Sequence, residues 1–120
     1  MERESATEAT ERRRLLVRSI VDSRRTGRRL RLEAADTVIE YENRRIRLEL
    51  TDDERARLDE LREEYHVFKI EQPATRKADD GVVYLSAVTD PKHAADFLEA
   101  LFVVVYGADE SYELRAEMKA

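Results

Sequence analysis

Between residues 28 and 50 the chain reads RRLRLEAADTVIEYENRRIRLEL, and through most of this stretch apolar and polar residues alternate. A period of two is the signature of a strand with one face in a core and the other in water. Two turns divide it. If Asn43 and Arg44 form a two-residue turn, Glu42 faces Arg45, Tyr41 faces Ile46, Glu40 faces Arg47 and Ile39 faces Leu48. If Ala35 and Asp36 form the preceding turn, Leu32 meets Ile39, Arg31 meets Glu40, Leu30 meets Tyr41 and Arg29 meets Glu42. Both turns place the same apolar residues on the same face, and a slip of one residue would turn that face into water. A three-stranded antiparallel meander is therefore the fixed point to which the rest of the chain must fit.

The meander also bears on the arginines. Its outer face would carry Arg29, Arg31, Arg45 and Arg47 against Glu33, Glu40, Glu42 and Glu49. Exposed cross-strand pairs of this kind contribute about 0.2 to 1 kcal/mol each, and they leave no surplus of positive charge for a phosphate backbone. The remaining basic feature is an N-terminal helix over residues 5–26, with Leu16, Val17, Ile20 and Val21 on one arc with Ala6 and Ala9, and Gly27 as its stop. Arg14, Arg18 and Arg25 form a stripe on its flank. Residues 12–31 hold nine arginines and one aspartate, whereas the chain as a whole has a net charge of −5.

Downstream, TDDERARLDELREEY has Thr51 and Glu54 at capping-box spacing and a narrow stripe of Leu58, Leu61 and Tyr65, which predicts a surface helix lying on a sheet. HVFKIE and GVVYLSAV read as strands, joined through residues 72–81, where Pro73 and DDG signal turns. In TDPKHAADFLEALFVVVYG, Asp90 is the expected N-cap, Pro91 the first helical residue and Gly107 the stop. Phe97, Leu98, Leu101, Phe102, Val104 and Val105 cover more than one side of this helix, so it should be the buried one. Residues 111–118 alternate through Tyr112, Leu114, Ala116 and Met118 as a strand does, while the spacing of Leu114 and Met118 also suits a short helix. The second half echoes a ferredoxin-like order, but in that order the strand at 45–50 would lie between the strand at 82–88 and the last one, and the meander already uses one of its edges.

The expected fold is a single α+β domain over residues 1–120. An antiparallel β-meander is extended to a mixed sheet of about five strands and packed by two or three helices. The order is α-β-β-β-α-β-β-α with a possible C-terminal strand, after a disordered start at residues 1–4. A core of this size needs no staple.

With no cysteine, thiol nucleophiles, thiolate metal sites and disulfides are excluded. The opening MERESATEATERRR lacks the apolar segment of a signal peptide. The longest apolar run, ALFVVVYGA, is far shorter than the roughly 20 residues of a membrane span, so a soluble cytoplasmic protein is expected. KADDG lacks the alternating ligands and closing glutamate of a calcium loop. The three glycines at 27, 81 and 107 form no phosphate loop, and no serine sits in a nucleophile elbow. His66 and His93 are the sole histidines; beside Asp90 and Lys92, His93 offers an acid/base or anion site at a helix start, and an exposed imidazole is the simpler reading. No catalytic residue, metal site or cofactor is expected.

The order of elements resembles that of the small acidic dimeric chaperones of type III secretion. The wording of TDDERARLDEL, FKIE and SAVTDPKHAADFLEALFVVVYG, over residues 51–112, resembles small uncharacterised proteins of halophilic archaea. Eighteen arginines against four lysines, with abundant acid and no cysteine, suit a high-GC or halophilic origin. The resemblance implies a family with no assigned activity and no catalytic residues to carry over. By elimination, the expected function is a non-catalytic protein-interaction or regulatory module, with a protein partner or a homodimer contact. The alternative is a nucleic-acid-binding regulator that uses Arg14, Arg18 and Arg25 on phosphates.

Overall fold

The computed structural model describes residues 3–71 and 81–119. The loop expectations at Pro73 and in KADDG fall on residues 72–80, outside the described residues. In chain order the elements are β1 (Arg3–Ala6), α1 (Ala9–Thr26), β2 (Leu30–Ala34), β3 (Thr37–Glu42), β4 (Arg45–Glu49), α2 (Asp52–Leu61), β5 (Lys69–Glu71), β6 (Val82–Ser86), α3 (Pro91–Ala100) and β7 (Leu114–Met118). A π-helical turn, Leu101–Val105, prolongs α3.

The meander forms in the expected register. Leu32 lies opposite Ile39, Leu30 opposite Tyr41, Tyr41 opposite Ile46, and Glu40 opposite both Arg31 and Arg47. Asn43 and Arg44 take φ of 54° and 58°, the pair of positive angles that a tight hairpin turn matching the strand twist requires. Tyr41, Ile39, Ile46 and Leu48 are buried, while Glu42 is exposed and Glu40 is half-covered on the outer face.

Among the described residues the strands form one sheet of seven, in the order β1-β7-β2-β3-β4-β6-β5. Every neighbouring pair is antiparallel, which corrects the expected mixed sheet of about five strands. Registers show why. The strands joined through α2 (β4 and β5) point the same way, as do those joined through α3 (β6 and β7), yet each pair is separated by inserted strands, so no parallel neighbours arise. The ferredoxin-like echo holds in part, with β4 beside β6 and β6 beside β5, while β7 goes to the far side of the meander. An apolar row crosses the sheet through Met118, Leu30, Tyr41, Ile46, Leu85 and Ile70, since each lies opposite the next.

The chain start is also corrected. Residues 3 and 4, expected to be disordered, begin β1, which pairs with β7. Its backbone bonds go to that sheet edge, so α1 starts at Ala9 and not at residue 5. Its glycine stop is as expected: Gly27 has φ 74° and its N–H donates to the Ser23 carbonyl. For residues 111–118 the strand alternative prevails.

Thr51 and Glu54 close a reciprocal capping box on α2, and Leu58 and Leu61 face inward. Of HVFKIE, only Lys69–Glu71 is strand. Arg62 Nε donates to the Phe68 carbonyl and the Phe68 N–H to that of Tyr65, which keeps residues 65–68 in a turn. Asp90 caps α3 through the His93 N–H. Phe97, Leu98, Leu101, Phe102 and Val105 are fully buried, whereas Val104, expected to pack, is 46% exposed. The π turn, closed by Tyr106 N–H to the Leu101 carbonyl, shifts the helix phase so that Val104 faces out. All three helices pack on one face of the sheet or on one another; among the described residues none covers the other face.

Candidate functional site

The arginines divide by partner. On the outer sheet face Arg29 reaches Glu40 at 3.7 Å, Arg31 reaches Glu33 at 3.7 Å, Arg47 reaches Glu49 at 3.1 Å and Arg45 reaches Glu71 at 2.8 Å. The neutralisation anticipated from sequence is present, but several bonds run along a strand or to β5 and not straight across the meander. Same-face neighbours two residues apart lie within the reach of long side chains. Glu42 is thereby left without an ion pair among the described residues.

The predicted stripe is neutralised as well. Arg14 pairs with Glu11 at 3.0 Å, Arg18 with Glu4 at 2.5 Å and Arg25 with Asp22 at 3.0 Å. Arg18 and Arg25 line one cleft together with Glu4 and Asp22, and Arg14 and Arg18 line a second with Lys92, so the three do not share a single site. Other arginines bind main-chain oxygens: Arg28 those of Met118 and Lys119, Arg57 that of Val105, Arg62 that of Phe68.

One arginine was missed. Arg12 is 2% exposed. It grips Glu99 with two bonds, of 2.9 and 3.3 Å, lies 4.1 Å over the Tyr112 ring, and donates to the carbonyls of Thr7 and Tyr112. Tyr112 Oη donates to Glu99 at 2.6 Å. Burial, then the bond to Glu99, holds the Tyr112 phenol well above its usual pKa, and the Glu99 bond holds the Arg12 guanidinium above its own. The signal was in the sequence: Arg12, Leu16 and Ile20 are spaced four apart, so the core face of α1 runs through Arg12. That face comprises Arg12, Leu15, Leu16, Ser19, Ile20 and Ser23. It is turned away from the expected arc, leaving Val17 half-exposed and Val21 42% exposed.

These valines floor a shallow groove between α1 and the start of α3, about 500 Å³ in volume, which Pro91, His93, Lys92, Asp90 and Asp96 complete. Arg13 bridges its edge to Asp96 at 2.8 Å. Lys92 has no ion pair among the described residues. His93 does not form the polar cluster considered from sequence: its ring packs against Tyr65 at 5.6 Å and Phe68 at 5.4 Å, beside the stacked pair Phe68 and Phe97, while Asp90 is spent on its main-chain N–H. His66 is exposed. No three His, Asp or Glu side chains gather as metal ligands among the described residues.

Residues 1–119 match a family of unknown function, DUF7975. The chain belongs to that family. No curated protein and no solved structure matches it. The DUF7975 match spans every strand and helix described above, so it is met at the level of the whole domain. It meets the expectation of a family with no assigned activity. The topological likeness to secretion chaperones has no structural match beside it. No helix of the DUF7975 domain, among the described residues, is long and apolar enough to cross a membrane.

Proposed function

We propose that this DUF7975 protein is a small cytoplasmic protein-interaction module without catalytic activity, and that its contact is self-association through α1. The carrying observation is that the core uses only half of the apolar arc on α1. Val17 and Val21 are left over on an open groove, where singly exposed valines would be ordinary but a shared floor with Pro91 is not. Charge supplies the partner. Helix α1 carries six arginines against Glu11 and Asp22, whereas the chain as a whole has a net charge of −5, so the basic helix of one copy is complementary to the acidic body of a second. Conversely, Arg14, Arg18 and Arg25 each already rest on a carboxylate, which weighs against the nucleic-acid reading; a halophilic host, suggested by composition, would screen phosphate contacts further.

Sedimentation across a range of protein concentrations tests this. A dimer is expected, with Val21→Asp shifting it to monomer while the circular dichroism spectrum is retained. A wild-type protein that stays monomeric at high concentration, or a Val21→Asp variant as dimeric as wild type, would sink the reading.

A further inference from the structure

Where α1 ends beside the β3–β4 hairpin, an open cleft of about 500 Å³ is lined by Ser23, Arg24, Gly27, Glu42, Asn43 and Arg44. Arg24 is half-buried there. Its Nε donates to Tyr41 Oη at 2.7 Å and an Nη to the Ala87 carbonyl at 3.3 Å, so neutral acceptors hold the guanidinium in place without discharging it. No carboxylate pairs with Arg24 or Arg44 among the described residues, although most other arginines of the domain have one.

Arg44 adds an independent observation. It stands second in a turn whose two central residues both have positive φ, 54° at Asn43 and 58° at Arg44. Glycine is the favoured residue at that position, and an arginine there is strained. Among the described residues the Arg44 side chain makes no bond or ion pair that would offset the strain. A strained, exposed cation next to a second un-neutralised cation points outward, to a ligand.

We propose that this cleft binds a small phosphomonoester, with its phosphate on Arg24 and Arg44 and a hydroxyl or amine of the same ligand donating to Glu42. Two guanidiniums match the nearly double charge of a phosphomonoester, and the arginine fork fits its oxygens. Among the described residues Glu42 is the one acidic group lining the cleft and has no ion pair of its own, so it can accept from a donor on the ligand. The negative end of the α1 dipole opposes an anion here. That opposition is reduced because the carbonyls of Ser23 and Asp22 already accept from the Gly27 N–H and the Thr26 hydroxyl. A nucleic-acid strand is disfavoured, because Glu42 lies in the cleft and the flanking arginines Arg25 and Arg29 are paired with Asp22 and Glu40.

Glycerol 3-phosphate, inorganic phosphate and glycerol are the probes, titrated by calorimetry and by amide chemical shifts at constant ionic strength. Expected are saturable binding of glycerol 3-phosphate centred on residues 42–44, weaker binding of inorganic phosphate and none of glycerol. Arg44→Gly should raise the unliganded thermal midpoint while weakening glycerol 3-phosphate by about tenfold or more, the loss of a charge-assisted bond. Glu42→Gln should narrow the gap between the ester and inorganic phosphate. The proposal is overturned if Arg44→Gly binds like wild type, if it lowers the midpoint, or if single-stranded DNA binds more tightly than the ester with the same dependence on Arg24 and Arg44.

Discussion

Arg12 is sealed between Glu99 and the Tyr112 ring, while Arg13 and Arg14 beside it remain in water on Asp96 and Glu11. The difference is helix phase alone: three identical side chains in a row fall about 100° apart, and only the first points along the line of Leu16 and Ile20. Once inside, the guanidinium must be discharged and bonded, because a buried charge without partners is expensive. Glu99 supplies the charge and two carbonyls the remaining acceptors, so α1, α3 and the segment before β7 are tied at one point. Arg12→Ala should therefore cost about 2 to 4 kcal/mol, moderated because Glu99, 29% exposed, regains water. Arg14→Ala, which removes an exposed pair between adjacent helical turns, should stay within about 0.5 kcal/mol. Urea unfolding of the two variants side by side decides it, and equal losses would mean that the buried network contributes nothing of its own.

At the scale of elements, the legible parts were those whose information is local. The two hairpin turns, the Thr51 and Glu54 box, the Asp90 and Pro91 start and the Gly27 stop each depend on a few neighbouring residues, and each forms as read. What stayed hidden depends on distant partners. β1 is four polar or small residues that become a strand because the free edge of β7 lies beside them. The groove on α1 was partly visible, since Val17 and Val21 stood out as apolar, but which half of the arc the core would take was set by packing against α3. The π turn is a third case. In an unbroken α-helix Val104 would follow Leu101 by one turn and share its buried side, whereas the extra residue turns it outward. Leu101→Ala should cost about 2 to 5 kcal/mol, and Val104→Ala and Arg18→Ala about 0.5 or less. A Val104→Ala loss as large as that of Leu101→Ala would show that the helix runs on without the bulge.

For the molecule as a whole, two phenols bridge elements far apart in the chain, and together they set an alkaline limit on stability. Tyr106 Oη donates to the Glu49 carbonyl and so fastens the end of the α3 segment to β4, while Tyr112 joins α1 and α3 through Glu99. Burial is the main cause that lifts both phenols well above their ordinary pKa, with the negative charges of Glu54 near Tyr106 and of Glu99 at Tyr112 adding to it. In the unfolded chain a tyrosine loses its proton near pH 10, at about its reference value. Below that pH both states hold the proton and stability does not depend on it. Above it the unfolded state releases a proton that the folded state keeps, so stability falls as pH rises, by up to about 1.4 kcal/mol per pH unit for each phenol. Tyr106→Phe and Tyr112→Phe should each be less stable than wild type at pH 7, by about 0.5 to 1.5 kcal/mol for the lost hydrogen bond. Each should then lose stability less steeply between pH 10 and 11.5, so that its deficit shrinks or reverses. Denaturant melts at a series of pH values read this directly, and slopes parallel to wild type for both variants would show that the two phenols ionise as freely in the fold as outside it.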